Sequence, residues 1–197
     1  MRFVPLFVSA LMLAGLAAAV PNFKESGSPS APMTIELYTD YECPHCREFY
    51  LDVLPQLTKE YINTGKVRLI HRDFRLSQMP YSRLATRYAN AAGQIGKYDV
   101  VAKQIFETQL EWSQNGNIDV ELTKVLLPSD MEKVRNLVKN DPHLDDQTLA
   151  DEAKAINEDH LTATPTIVIV YKGKRESVTG GANWALLKSY INSKLSQ

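Results

Sequence analysis

Residues 38–57 read YTDYECPHCREFYLDVLPQL, and this stretch decides how the rest of the 197-residue chain is interpreted. It contains both cysteines of the protein, Cys43 and Cys46, separated only by Pro44 and His45. The preceding residues, Met33–Thr39, alternate apolar and polar side chains as a strand does. After Cys46, apolar residues recur at intervals of three and four, which is typical of a helix. The Cys-x-x-Cys pair is therefore predicted to lie at a strand-to-helix junction.

This position predicts different roles for the two thiols. The first turn of a helix has backbone N–H groups without intrahelical partners, and these groups stabilise a thiolate. We therefore expect a lowered pKa for Cys43, which would meet the substrate, and a more shielded Cys46 that resolves the mixed disulfide. Pro44 suits the first helical turn and stiffens the ring. A protonated His45 imidazole would lower the pKa of Cys43 further, the alternative being an ordinary polar residue on an exposed turn.

Composition and charge exclude several other classes of protein. Apolar residues make up 44% and charged residues 23% of the chain, which is typical of a globular domain. The 22 basic residues are balanced by 23 acidic ones, so nucleic acid is not an expected partner. Two cysteines are too few for a disulfide-stapled scaffold. Cys43, His45 and Cys46 could begin a zinc site, but no fourth ligand accompanies them, and no metal is expected.

The N-terminus carries the pattern of an export signal. Met1-Arg2 is followed by an apolar run and by Ala17-Ala18-Ala19, so residues 1–19 are predicted to be a signal peptide cleaved after Ala19. The alternative is an uncleaved membrane anchor, for which the apolar run is at the short limit. Residues 20–32 are polar, and they are predicted to form a flexible leader. Export would place the two cysteines where no glutathione pool keeps thiols reduced.

The remaining residues, 33–196, predict a single α/β domain. A helix that Pro55 is expected to kink follows the first strand, and a second strand covers 67–74, which indicates a parallel crossover. Residues from about 80 to 160 are helical in pattern, and Tyr88 and Trp112 are expected to pack their interior. Strands at 166–171 and 174–178 and a helix at 183–196 complete the order β-α-β, helical insertion, β-β-α.

The chain has Cys-Pro-His-Cys after a strand, a helical insertion, and Thr164-Pro165 at the start of a buried strand. In these features it resembles the DsbA-like thiol-disulfide oxidoreductases of the thioredoxin superfamily. The resemblance implies a thioredoxin-like fold in which Pro165 is cis and packs beside the dithiol, while Thr164 presents backbone groups to a bound peptide. It implies no cofactor beyond the Cys43–Cys46 disulfide.

One position departs from the family pattern. Many relatives have a buried glutamate six residues before the first cysteine, where this chain has Leu37. Glu36 lies next to it but, by strand alternation, is expected to face the other side of the sheet. Asp40 is closer to the cysteines, and we consider it the candidate for moving protons instead.

Together these features predict an exported enzyme, periplasmic or otherwise extracytoplasmic, that donates the Cys43–Cys46 disulfide to reduced exported proteins. A membrane-bound redox partner would reoxidise it, and a monomer is expected. The alternatives are a disulfide reductase or isomerase on the same fold, or a metal-carrying or substrate-holding module without turnover.

Overall fold

The structure, a computed structural model, describes residues 22–180 and 183–196. The predicted signal peptide, residues 1–19, lies outside the described residues, as do the first two residues of the predicted leader. Across the ranges that are described, no helix combines the length and the apolar character needed to cross a bilayer.

In the described residues, a five-stranded mixed sheet forms the centre of the fold. Its strands are β1 (Glu25–Ser26), β2 (Met33–Thr39), β3 (Val67–Asp73), β4 (Thr166–Tyr171) and β5 (Lys174–Thr179). Their spatial order is β1-β3-β2-β4-β5. Strands β2 and β3 run parallel, as the crossover predicts, and the other neighbouring pairs are antiparallel. Strand β2 is thus the central strand, and the site at its C-terminal end lies near the middle of the sheet.

The helix that follows β2 is continuous from 44 to 62 but changes its hydrogen-bond pattern. Two α-helical segments, α1 (Pro44–Glu48) and α2 (Leu54–Leu57), alternate with π-helical turns at Phe49–Val53 and Thr58–Ile62. The Leu54 N–H donates to the carbonyl of Phe49, five residues back. Pro55 has no N–H to donate, and the wider turn before it lets the helix continue past the missing bond.

Helices fill the chain between β3 and β4, where the insertion is predicted. They are α3 (Ser82–Gln94), α4 (Tyr98–Glu107), α5 (Gln109–Trp112), α6 (Ile118–Leu122), α7 (Pro128–Asn140) and α8 (Asp146–Asn157), and α9 (Trp184–Leu195) closes the domain. The short helices α5 and α6 are not predicted, because they contain too few residues to show a helical period. The predicted order β-α-β, helical insertion, β-β-α is confirmed, with β1 added in front.

Tyr50 packs against two apolar cores, and one of these cores contains the dithiol. One lies between the sheet and the helices 44–62 and α9, and it includes Leu37. The other fills the insertion, where Trp112 and Tyr88 are buried as predicted, and it extends to Cys43 and Cys46. The two cysteines therefore lie where the insertion packs against the thioredoxin-like part of the domain.

The prediction of a flexible leader over residues 20–32 is wrong for the central part of this segment. Residues 25–26 pair with Ile70 and Leu69 of β3 as strand β1. Lys24 is only 1% exposed, and its ammonium group forms an ion pair with Asp73 of β3. Polar composition alone suggested a solvated segment, whereas a charge can be buried when an opposite charge compensates it.

Two glycines make room for this segment. Gly27 has a φ of +87° and lies so close to β3 that a Cβ atom there would be 2.5 Å from the Val67 carbonyl oxygen. Gly93 of α3 provides the space for the Phe23 ring, which a Cβ atom would overlap. The Phe23 ring also packs 5.3 Å from that of Tyr98. The segment therefore connects the sheet edge with the insertion.

Candidate active site

The topology brings two distant loops to the cysteines. Strand β2 pairs antiparallel with β4, and Tyr38 lies opposite Thr166. The loop that leaves β2 and the loop that enters β4 therefore meet at the same end of these two neighbouring strands. The Cys43 Sγ lies 3.5 Å from the carbonyl oxygen of Thr164. Pro165 is buried, and the Thr164–Pro165 peptide bond is cis, as the family resemblance implies.

Cys43 has the extended N-cap conformation, with φ −74° and ψ 123°, at the start of α1. The structure has both cysteines as free thiols. A hydrogen bond from the Cys46 thiol, together with the backbone amides of Cys46 and His45, lowers the pKa of Cys43 to about 5, although burial opposes this shift. The helix N-terminus thus stabilises the thiolate in the way the sequence analysis expects.

Cys46 has the opposite electrostatic environment. It is fully buried, compared with 4% exposure for Cys43, and burial raises its pKa well above the ordinary thiol range. Its sulfur accepts a bond from the Asp40 N–H at 3.4 Å. The two thiols differ little in exposure and strongly in acid strength, so electrostatics is the stronger basis for assigning them different roles.

His45 and Pro44 lie exposed on the first turn of α1. The His45 Nδ1 is 3.2 Å from a carboxylate oxygen of Glu48, one turn along the helix. The backbone N–H of His45, in contrast, bonds to the Cys43 sulfur and contributes to its low pKa. The influence of the imidazole charge on the thiolate stays a prediction, as does the stiffening effect of Pro44.

Asp40 is the carboxyl group that the loop places beside the dithiol. Its pKa is raised to about 6, mainly by burial and also by a negative charge on Cys43. The hydrogen bonds that the carboxylate accepts lower the pKa and oppose this shift. The Leu76 N–H donates to the carboxylate at 2.7 Å, and the Glu42 N–H donates at 2.8 Å. The Ser82 hydroxyl also donates to it. Asp40 therefore ties the cysteine loop to the beginning of the insertion.

Leu37 and Glu36 occupy opposite faces of β2, as alternation predicts. Leu37 is completely buried in the core between the sheet and the helices 44–62 and α9. Glu36 forms ion pairs with Arg72 and Arg175. These two arginines hold the pKa of Glu36 below its usual range, although burial by itself would raise it. Glu36 is thus committed to a salt-bridge network away from the cysteines.

Gln109 and Glu42 are site residues that the sequence analysis missed. The side-chain amide of Gln109, in α5, donates to the carbonyl oxygens of Tyr41 at 2.7 Å and Cys43 at 3.0 Å. The Glu42 carboxylate accepts from the N–H of Tyr81 at 2.6 Å. A glutamine on a helix belongs to no motif, so no local signal could have identified it.

The arrangement is suited to thiol-disulfide exchange. Across residues 22–180 and 183–196, no group of three or more His, Cys, Asp or Glu side chains is placed to hold a metal ion. What the site does combine is a stabilised thiolate, a buried partner thiol one turn away, and a backbone carbonyl beside the first sulfur. A low-pKa thiol is both a good nucleophile near neutral pH and a good leaving group.

Known proteins with similar sequences carry related names. The chain is 27% identical over 150 residues to disulfide bond formation protein D of Bacillus subtilis. This match covers 73% of this chain and 65% of that protein. The chain is 33% identical over 102 residues to a Bacillus anthracis protein named "Probable disulfide bond formation protein D", covering 51% of this chain and 45% of the relative. The matched segments thus span about half to two thirds of these relatives.

Solved structures and a family model give the same assignment. The fold is similar to that of alpha-DsbA1 from Wolbachia pipientis, with a TM-score of 0.74 and 25% identity over 89% of this chain and 92% of that one. Oxidised BdbD from Bacillus subtilis shares the fold, with a TM-score of 0.71 and 22% identity over 88% of this chain and 93% of that one. The family model described as thioredoxin matches residues 24–191. The predicted family and fold are therefore confirmed, and the chain belongs to the thioredoxin family, with the DsbA-like form of its fold.

Proposed function

We propose that this protein is a protein dithiol-disulfide oxidoreductase that donates the Cys43–Cys46 disulfide to reduced substrate proteins. The observation that carries the proposal is the difference in acid strength between the two thiols. The pKa of Cys43 is lowered to about 5, whereas that of Cys46 is raised well above the ordinary range. A stabilised Cys43 thiolate favours the reduced form of the enzyme, and an enzyme that favours its own reduced form is a strong oxidant of other proteins.

The exchange proceeds in two steps. A substrate thiolate attacks the Cys43 sulfur, the Cys43–Cys46 bond breaks, and Cys46 leaves and takes up a proton. A second substrate thiolate then attacks the substrate sulfur of the mixed disulfide, and Cys43 leaves as a stable thiolate. The substrate is oxidised by two electrons, and the Cys43–Cys46 pair is reduced by two. No cofactor beyond this disulfide takes part.

The loop around Thr164 supports a role in binding the substrate. Its carbonyl oxygen lies 3.5 Å from the Cys43 sulfur, so a peptide joined to Cys43 would pass beside this backbone. Thr164 and Pro165 are therefore proposed as the residues that position the substrate chain next to the reacting sulfur. The names of the relatives, which refer to disulfide bond formation, agree with this reaction class.

The location and the partners of the enzyme form the rest of the proposal. We propose that residues 1–19 direct export and that the protein works in the periplasm or another extracytoplasmic compartment. Its substrates there are reduced exported proteins, and a membrane-bound redox partner restores the disulfide. The enzyme acts as a monomer and binds no nucleic acid. Mass spectrometry of the protein from its host would check export, because cleavage after Ala19 leaves Val20 at the N-terminus.

Disulfide transfer to a reduced, unfolded protein tests the function. Oxidised enzyme mixed with reduced ribonuclease A should lose one disulfide per molecule, while the substrate loses two thiols. With ribonuclease A whose disulfides are formed but scrambled, a substrate disulfide supplies the oxidant: Cys46→Ser should accumulate the mixed disulfide between Cys43 and the substrate, with a substrate thiolate as the leaving group. Cys43→Ser, the matched control, should not. Preferential trapping by Cys43→Ser would reverse the assignment of the two thiols.

The equilibrium with glutathione separates the alternatives. We expect a reduction potential clearly above the value of about −270 mV for thioredoxin. A potential near or below that value would support a reductase instead. Stoichiometric, tight zinc binding by the reduced protein, without disulfide transfer, would support the metal-carrying alternative.

A further inference from the structure

Gln109 is a side chain of the helical insertion that hydrogen-bonds directly to the backbone of the cysteine loop. Both hydrogens of its amide are used on the loop, one on the Tyr41 carbonyl at 2.7 Å and one on the Cys43 carbonyl at 3.0 Å. Gln109 is 2% exposed, so these bonds form away from solvent. A buried donor that loses its acceptor is costly, so this geometry is strongly preferred over one in which the carbonyls turn away.

The Cys43 carbonyl is the first acceptor of the helix. It also accepts from the backbone N–H groups of Cys46 and Arg47, each at 3.1 Å. The direction of this carbonyl sets the orientation of the Cys43–Pro44 peptide plane. That plane in turn determines how far the Cys43 sulfur lies from the N–H groups of the first turn. On its other side, Cys43 is held within the loop itself, since its N–H donates to the Asp40 carbonyl at 3.1 Å.

Gln109 is itself on a rigid support. It begins α5, and Trp112 at the other end of that helix is 1% exposed and donates its indole N–H to the Ile105 carbonyl at 2.7 Å. A second link runs beside it, because the Arg47 guanidinium donates to the Phe106 carbonyl at 3.1 Å. The packed interior of the insertion thus determines where the Gln109 amide points.

We propose that Gln109 is a positioning residue of the active site, which aligns the Cys43 peptide plane so that the first-turn amides stay directed at the Cys43 sulfur. The insertion then has a part in the redox chemistry, and it acts through two backbone carbonyls without touching either sulfur. The inference rests on the proposed role of Cys43 as the stabilised thiolate. The ionisable groups that face the same sulfur are Cys46 and Asp40, and both remain when Gln109 is replaced.

Replacement of Gln109 by methionine tests the proposal. Gln109→Met keeps the length of the side chain and removes both donors. The pKa of Cys43, followed by thiolate absorbance at 240 nm in the reduced protein, should rise by about half to one unit. The equilibrium constant with glutathione should shift about three- to tenfold toward the disulfide form of the enzyme.

The matched control is Gln104→Met. Gln104 is a buried glutamine of the same insertion, and its amide donates at 3.3 Å to the Glu121 carbonyl, within the insertion. This variant should lose stability but keep the pKa of Cys43. An unchanged Cys43 pKa in Gln109→Met, or equal shifts in both variants, would overturn the proposal, because either result means that only general packing is involved. A wild-type pKa near 8.5 would instead refute the proposed function.

Two further measurements cover the case in which Gln109→Met does not fold. Gln109→Leu removes both donors with an apolar side chain and adds no ionisable group, so it should raise the pKa of Cys43 by a similar amount. In the wild-type protein, nuclear magnetic resonance should show slow hydrogen exchange for the Gln109 side-chain amide and a shift of its signals on oxidation of the cysteines. Fast exchange without such a shift would contradict the proposed contacts.

Discussion

At the scale of single residues, Cys46 acts on Cys43 before any disulfide forms. The Cys46 thiol donates to the Cys43 sulfur, and this bond is the largest contribution to the low pKa of Cys43. Burial keeps Cys46 itself protonated, so the donor remains available over the whole neutral range. In the proposed exchange the same buried thiol is thus the leaving group, and in the reduced enzyme it is a hydrogen-bond donor to Cys43.

A pair of substitutions at this position separates hydrogen bonding from sulfur chemistry. Cys46→Ser keeps a donor, and the pKa of Cys43 should stay within about one unit of the wild-type value. Cys46→Ala removes the donor and should raise the pKa of Cys43 by about one to two units, since a hydrogen bond to a charged group is worth about 1.5–3 kcal/mol. The pH dependence of iodoacetamide labelling measures both. Equal pKa values in the two variants would show that the helix amides alone stabilise the thiolate.

At the scale of elements, β1 is held by a buried ion pair. The Lys24 ammonium group and the Asp73 carboxylate contact each other with side-chain exposures of 1% and 4%. The Thr148 hydroxyl, from α8, donates to the same carboxylate at 2.6 Å. The contact therefore joins the N-terminal segment, the sheet and the insertion at one point, and removal of one charge would leave the other buried without compensation.

We expect Lys24→Met to lower the free energy of unfolding by about 3–5 kcal/mol, because a single unpaired charge remains inside. The double variant Lys24→Met with Asp73→Asn should recover at least half of that loss. As a control, Lys103→Met disrupts the exposed pair with Glu107 and should cost less than about 1 kcal/mol. Urea unfolding measures all three. A Lys24→Met effect no larger than that of the control would contradict the structural role of the segment.

At the scale of the whole molecule, the thiolate couples the redox state to stability. The pKa of Cys43 is about 5 in the folded protein and about 8.5 in an unfolded chain. A depressed folded pKa stabilises the protein fully above the unfolded value, and this contribution disappears as the pH falls through 5. A disulfide has no ionisable thiol, so the contribution exists only in the reduced form.

Melting and urea unfolding at two pH values test this coupling. Between pH 4 and pH 7, the reduced protein should gain about 2 kcal/mol relative to the oxidised protein, with allowance for solvent screening near the surface. Asp40, whose pKa is about 6, titrates in both redox forms, so most of its effect cancels in the comparison. The measurement is the difference between oxidised and reduced unfolding free energies at each pH. A difference that does not change with pH would argue against a stabilised thiolate.

The sequence by itself determined the fold class and pointed to Cys43 and Cys46 as the candidate reacting pair, because both inferences depend on local patterns. Alternation identified β2, and a continuous apolar, β-branched run identified β4. A period of three to four identified the helices, and a Cys-x-x-Cys pair at a strand-to-helix junction indicated the chemistry. Strand alternation also separated Leu37 from Glu36 correctly. These features involve residues close together in the chain, where backbone geometry alone relates one position to the next.

Only the tertiary structure decided which distant groups hold the site. Gln109 lies 66 positions from Cys43, and Lys24 lies 49 positions from Asp73, yet each pair is in direct contact. Such contacts depend on how the insertion and the N-terminal segment pack against the sheet. A buried glutamine amide or lysine is stable there only because packing brings its partner, and no pattern around either residue records that partner.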